Sequence, residues 1–266
     1  MQLSDGLHFL LRRFLWLCYN RTNRKGGNAM EDWKRQPLGE DLCIISSPRH
    51  GFGTDACLLA HFTAPKHKDR VCDLCSGCGV VPLLMQRYYA PAQLVGVEIS
   101  AEAAGQYRTA IRESGLEETH QAYEGDLRRL PKTFWEQFDV VSCNPPYFSA
   151  GTGKQSRMLE HRMARHEEGC TLEEVCQAAG RLLKYGGRFC LCQRPQRLAE
   201  VFSAMICAGL EPKRLLLVSK QWNTAPWLAL VEGKKGAAAG LTVLPLLALY
   251  DENGLRPEAA AWVRME

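Results

Sequence analysis

One stretch joins residue types suited to chemistry at a place where chemistry can occur. In "VVSCNPPYFSAG" an apolar, strand-like run ends in Asn144, Pro145, Pro146 and Tyr147. Proline carries no N–H for a sheet ladder, so the strand stops there. A turn needs one proline only. Two of them stiffen the backbone so that the Asn144 side-chain oxygen and the Pro145 carbonyl can converge as acceptors, with Pro146 and Tyr147 as a flat wall. Two acceptors beside an aromatic face suit a planar group bearing an NH2. Such an amine donates both hydrogens, frees its lone pair and can attack an electrophile in line, helped by orientation and electrostatics. The plainer alternative is a proline-rich loop that merely ends a strand.

A second stretch, "VCDLCSGCGVVP", runs from a strand ending near Asp73 through a Ser-Gly-Cys-Gly turn into a helix. Gly77 and Gly79 let backbone amides approach a ligand, and the helix N-terminus behind them favours electronegative groups. Glu98 closes the following strand in "LVGVEIS", where an acid can accept both hydroxyls of a ribose. The G-x-G-x-x-G spacing of nicotinamide enzymes is not met, because Pro82 stands where the third glycine would be. Cys72, Cys75 and Cys78 are spaced C-x2-C-x2-C, which raises iron–sulfur ligation. With no fourth ligand at a sensible spacing, small buried thiols beside a turn account for them better. Asp126 in "YEGDLRRLP" can receive an exocyclic amine of a bound adenine or simply cap a helix.

The elements that would position these residues alternate. "RVCDLCS", "QLVGVEI", "FDVVSCN", "RFCLCQ" and "RLLLVS" read as strands. "VVPLLMQRYY", "SAEAAGQYRTAIRESG", "TLEEVCQAAGRLLKYGG" and "RPQRLAEVFSAMICAG" read as helices, the third with Thr171 and Glu174 as a capping box and a glycine stop. This is the pattern of βαβ units in an α/β fold with a mainly parallel sheet. Residues 31–69 precede the first strand and are expected to pack as a lid or flank. "APWLALVEG" and "LTVLPLLALY" are expected to form an antiparallel pair on the sheet edge.

Composition frames the rest. The chain has 266 residues, 46% hydrophobic and 23% charged, with a formal charge of +4. That is an ordinary globular balance, mildly basic, permitting an anionic partner such as RNA without demanding one. Twelve cysteines scattered through apolar context read as reduced thiols of a cytoplasmic protein. "LHFLLRRFLWLCY" is broken by Arg12 and Arg13 and too short to span a bilayer, so no membrane association is expected. Residues 1–29 read as a flexible N-terminal extension and 30–266 as a single domain.

The glycine turn, Glu98 and Asn-Pro-Pro-Tyr together resemble class I S-adenosylmethionine-dependent methyltransferases that modify exocyclic or amide nitrogens. "HGFGTDACLLAHF", "MARHEEGCTLEEV" and the tail "LTVLPLLALYDENG" narrow the resemblance to the bacterial tRNA(Val) adenine-N6-methyltransferases, over residues 31–258. The resemblance implies a Rossmann-like, mainly parallel seven-stranded sheet with helices on both faces and an antiparallel edge. It implies Asp73, Gly77 and Gly79 at the methionine part of the cofactor, Glu98 at its ribose and Asp126 near its adenine. Gly53, Thr54 and Asp55 would close over its amino-acid end. Asn144 and Pro145 would hold the target N6 beside the cofactor, with Pro146 stiffening the loop and Tyr147 stacking on the base. Arg162, Arg165 and His166 are candidates for tRNA phosphates. Methyl transfer to an amine requires no metal. The turn departs from the usual pattern at Cys75, where glycine is common, so that backbone must use a less permissive geometry and cofactor affinity can differ. A release-factor glutamine amide and an rRNA guanine-N2 are alternative targets. A non-catalytic RNA-binding scaffold and a nicotinamide oxidoreductase are alternatives of other classes.

Overall fold

The computed structural model describes residues 33–50, 52–145 and 169–263. Strands β3 (Arg70–Leu74), β4 (Gln93–Glu98), β5 (His120–Glu124), β6 (Phe138–Cys143) and β7 (Leu183–Gln193) run parallel. β3, β4, β6 and the second half of β7 are largely buried on both pleated faces, as a sheet covered on both sides requires, whereas β5 (HQAYE) at the edge is mostly polar. In β3, Val71 joins one core cluster while Cys72 and Leu74 join the other. The first cluster gathers α1 (Thr54–Thr63), α2 (Val80–Tyr89), α3 (Ala101–Glu113) and the C-terminal α6 (Pro257–Val263). The second gathers α4 (Leu172–Leu182) and α5 (Leu198–Cys207).

The chain starts the sheet at β3, builds outward to β4 and β5, then returns to the other side of β3 with β6. The strand order therefore reverses between β3 and β6. A crevice opens at such a reversal outside the carboxyl ends of the strands, which is where ligands bind in open α/β sheets.

The far side of the sheet departs from expectation. β9 (Leu228–Lys235), within "APWLALVEG" and the residues after it, does not pair with "LTVLPLLALY". It lies antiparallel between β7 and β8 (Leu210–Ser219), bonded to both. Leu228 to Val231 are all buried, and Glu232 on the same strand pairs with Arg188 at 3.0 Å and Arg214 at 2.7 Å on its two neighbours. A strand with apolar residues on both faces gains most from an interior slot. The tail instead forms two short strands, β10 (Thr242–Val243) and β11 (Leu247–Ala248), both parallel to β8. Pro245 between them lacks the N–H that a continuous strand would use. Among the described residues the main sheet has nine strands, ordered β10-β8-β9-β7-β6-β3-β4-β5 with β11 also on β8.

Two other elements refine the sequence reading. Helix α4 has the expected capping box: Thr171 Oγ1 accepts from the Glu174 amide at 3.2 Å, and the Glu174 carboxylate accepts from the Thr171 amide at 2.8 Å. It ends at Leu182 rather than at the glycines, because Leu183 is already extended and paired with Phe138 in the sheet. The hairpin β1 (Lys34–Leu38) and β2 (Leu42–Ser46) flanks α3, with the Cys43 amide donating to Ser114 Oγ at 3.1 Å and Arg35 paired to Glu113 at 2.9 Å. Among the described residues no helix is long and apolar enough to cross a membrane. The expected extension over residues 1–29 lies outside the described residues.

Candidate active site

The crevice floor is the turn after β3. Cys75, Gly77 and Gly79 all have positive φ, at 55°, 55° and 81°. Cys75 nonetheless adopts the left-handed backbone that favours glycine, at an expense of about 1–2 kcal/mol for a residue with a Cβ. The two glycines serve different ends. A Cβ on Gly77 would meet nothing within 4 Å, so that face of the turn is open, whereas one on Gly79 would collide with the Tyr107 ring.

Glu98 holds this turn from the next strand. Its Oε2 accepts from the Gly77 amide and its Oε1 from the Ser100 amide, both at 2.8 Å. The Ser76 amide donates to Val97 O at 3.0 Å, and Ser100 Oγ caps α3 through the Ala103 amide. Glu98 is therefore a staple between turn and helix, and its carboxylate orientation is fixed before any ligand arrives. Carboxylate oxygens have lone pairs to spare, so both can still receive hydroxyls.

Asp73 is buried, and Ser142 Oγ, directly across in the β3–β6 register, donates to its Oδ1 at 2.6 Å. Burial pushes its carboxyl up to about 8; the Ser142 hydrogen bond works against that rise, and the Glu98 charge adds to it. Two carboxyl groups thus lie near the carboxyl ends of neighbouring strands, one of them buried and, among the described residues, hydrogen-bonded to the Ser142 hydroxyl. That arrangement fits a cationic ligand, whose charge would relieve the desolvation.

The segment leading into α1 reaches the same edge. His50 Nε2 lies 3.4 Å from Ser100 Oγ and 3.7 Å from Glu102, and Ser47 Oγ donates to Glu102 at 3.2 Å. Gly53, at the N-cap of α1, Thr54 and Asp55 follow three to five residues later, with Asp55 Oδ1 accepting from the Ala56 amide at 3.1 Å. Asp126 caps a 3-10 turn, accepting from the Arg128 amide at 2.9 Å and pairing with the Arg128 guanidinium at 2.7 Å. The Arg128 hydrogen bond holds its carboxyl below the usual range. The capping role expected of Asp126 is thus formed.

Asn144 and Pro145 follow β6 directly. Leu74 and Cys143 are the last partners in the β3–β6 register, so Cys75 and Asn144 are the next residues to leave two neighbouring strands. Asn144 Oδ1 accepts from the Cys192 thiol at 3.0 Å. Pro146, Tyr147, Arg162, Arg165 and His166 lie outside the described residues. The thiols at the turn are shielded. Cys75 Sγ lies 3.9 Å from Cys170 Sγ, and burial pushes the neighbouring Cys143 up to about 12. Among the described residues no group of three or more His, Cys, Asp or Glu is placed to hold a metal ion.

The structure brings Asp73, Gly77, Gly79, Glu98 and Asn144 to the carboxyl ends of neighbouring strands, and beside them Ser142, Ser100, His50 and Cys192, which the sequence did not single out. Ser100 had a signal, as the N-cap of the helix after Glu98. Ser142 and Cys192 had none, because each matters only through the strand beside it.

A reversed parallel sheet with one inserted antiparallel strand, a glycine turn stapled by an acid and an Asn-Pro exit from the adjacent strand define a class I methyltransferase. The chain belongs to the methyltransferase small domain family, whose profile matches residues 43–205. Among curated proteins it is similar to the tRNA1(Val) (adenine(37)-N6)-methyltransferase of Photorhabdus laumondii, at 27% identity over 64% of this chain and 67% of that protein. The protein of the same name from Bacteroides thetaiotaomicron is 32% identical over 61% of this chain and 65% of its own. The one from Dyadobacter fermentans is 25% identical over 86% and 92%. The match thus spans about two thirds of the first two relatives and nearly all of the third. Among solved structures, a predicted O-methyltransferase from Agrobacterium tumefaciens superposes with a TM-score of 0.63 at 22% identity, covering 78% of this chain and 94% of that one. Geranyl diphosphate C-methyltransferase from Streptomyces coelicolor, solved with S-adenosyl-L-homocysteine, gives 0.51 at 14% identity over 68% and 76%. These likenesses show the fold.

Proposed function

We propose that this chain is an S-adenosylmethionine-dependent tRNA (adenine-N6)-methyltransferase of the cytoplasm, acting beside the anticodon of a valine tRNA, with residues 30–266 as its single domain. The observation that carries the reading is the adjacency of the β3 turn and Asn144 across one strand spacing. It supports a cofactor cradle and an amine acceptor that share one crevice. The relatives' names supply the adenine and the tRNA.

S-adenosylmethionine supplies an electrophilic methyl group on a cationic sulfonium. The residues present suit it: Gly77 and Gly79 open the turn, Asp73 offers a buried anion to its positive end, and Glu98 offers accepting oxygens to its ribose. Gly53, Thr54 and Asp55 close the amino-acid end, and Asp126 stands toward the adenine side. Asn144 Oδ1 and the Pro145 carbonyl receive the two hydrogens of the target amine. That draws the nitrogen lone pair out of conjugation and aims it, and the proton leaves after transfer, so no general base is needed. Pro146 and Tyr147 hold the unstacked base, and Arg162, Arg165 and His166 contact tRNA phosphates.

The test is to incubate the protein with methyl-labelled cofactor and bulk tRNA, digest, and identify the nucleoside by mass spectrometry. N6-methyladenosine confined to valine tRNA is the expected product. Cofactor binding without label in tRNA would refute the substrate reading and turn attention to a glutamine amide or a guanine N2.

A further inference from the structure

The contact between Cys192 and Asn144 belongs to none of the roles above. Cys192 is fully buried near the C-terminal end of β7, in the core cluster with Cys190, Leu216, Leu228 and Leu230. The last β6–β7 partners are Cys143 and Leu191, so Cys192 is the residue abreast of Asn144 as that strand runs out. Its Sγ donates to Asn144 Oδ1 at 3.0 Å. We infer that Cys192 is a positioning residue, whose thiol proton selects which end of the Asn144 amide is presented to the target amine. The inference rests on the proposed role of Asn144 as acceptor.

The physical need is specific. The two ends of an asparagine amide are nearly equal in shape and opposite in hydrogen-bonding sense. If Nδ2 took the place of Oδ1, a donor would face the incoming NH2 and the nitrogen would be repelled. The backbone cannot prevent that flip, because Pro145 fixes main-chain dihedrals and leaves the terminal torsion of Asn144 broad. A neutral thiol beside the amide can, since its S–H stabilises oxygen there. The oxygen has two lone pairs, so one held by Cys192 leaves the other for substrate. Cysteine suits the task because it packs as a small hydrophobe in an apolar cluster while keeping one weak donor. A hydroxyl would donate as well and be harder to bury.

This separates the donor from the volume it fills. Cys192→Val keeps an apolar side chain of similar size and removes the donor; Cys192→Ser keeps the donor and loses apolar packing. The expectation is that Cys192→Val lowers kcat on tRNA about tenfold or more through misorientation. KM for tRNA and affinity for S-adenosylhomocysteine should stay within about twofold, because binding elsewhere is untouched. Cys192→Ser should hold kcat near wild type although it melts earlier. A packing role gives the opposite order, so full activity in the valine variant, or equal loss in both, would overturn the inference. The S–H stretching band in the Raman difference between wild type and Cys192→Val reports the contact without catalysis. It should be shifted by hydrogen bonding and move on Asn144→Ala. Should wild-type protein label no tRNA, the substrate reading fails and the band alone decides this one. A band unmoved by Asn144→Ala sinks it.

Discussion

The two sides of the crevice are built differently. The β3–β4 side is held by backbone amides: Glu98 receives one from the turn and one from the next helix, and Ser76 is tied to Val97. The β6–β7 side carries its proposed acceptor on a side chain, Asn144, whose Oδ1 accepts from another side chain, Cys192. Backbone staples make a cradle that tolerates side-chain variation, because amides are the same whatever the residue. A side-chain clamp is sensitive to single atoms. The first side should therefore govern whether the cofactor binds and the second whether it reacts.

The sharpest way to break that division is Asn144→Ala. Turnover should fall by about 10²–10³-fold, the scale for losing a preorganised group in the transition state, with S-adenosylhomocysteine affinity by calorimetry nearly unchanged. Loss of both would mean the two sides are not separable. Glu98→Ala should act in reverse. It strands the amides of Gly77 and Ser100, for a loss of about 1–3 kcal/mol in stability wherever they stay buried, and weakens cofactor binding by about tenfold or more. At saturating cofactor, kcat should recover to within a few-fold.

Asp73 sharpens the comparison through pH. Its carboxyl is raised to about 8 in the folded protein against about 3.9 in an unfolded chain, so folding takes up a proton between those values. The stability this proton brings is fully present below about pH 4 and is lost as pH rises through about 8. Without ligand, thermal stability should therefore decline across that window, and Asp73→Asn should flatten the decline. A cationic ligand reverses the preference by favouring the ionised form. Cofactor affinity should climb with pH and level off above about 8, with proton release visible as a buffer-dependent binding enthalpy. The smallest effect is expected at Cys75. Cys75→Gly relieves a positive φ of 55° and should raise the melting temperature by roughly 2–4 °C, for about 1 kcal/mol. A decrease would show that the thiol's contact with Cys170 outweighs the backbone.

The same contrast explains what could be read from the sequence. The cradle was legible because its parts are local: a strand end, a glycine turn and a helix start within ten residues, then an acid at the end of the next strand. Asn144 was legible for the same reason, since two prolines mark the strand's end. Its supports were not. Ser142 faces Asp73 and Cys192 faces Asn144 only because β3, β6 and β7 are neighbours, and strand order is a tertiary fact. The place of β9 failed for that reason too. Its apolar run promised a strand, yet no local feature said that a strand so late in the chain would lie between two earlier ones.

That late insertion also bears on how the chain assembles. β7 and β8 are made first but do not touch as partners; the slot between them is filled only by Leu228–Lys235. Until those residues emerge during synthesis, β7 offers a bare edge of apolar sequence to any other nascent strand. Chains cut just before Leu228 should therefore aggregate, while chains ending just after Lys235 should gain a continuous β8-β9-β7 sheet in one step, as the late strand joins two earlier ones.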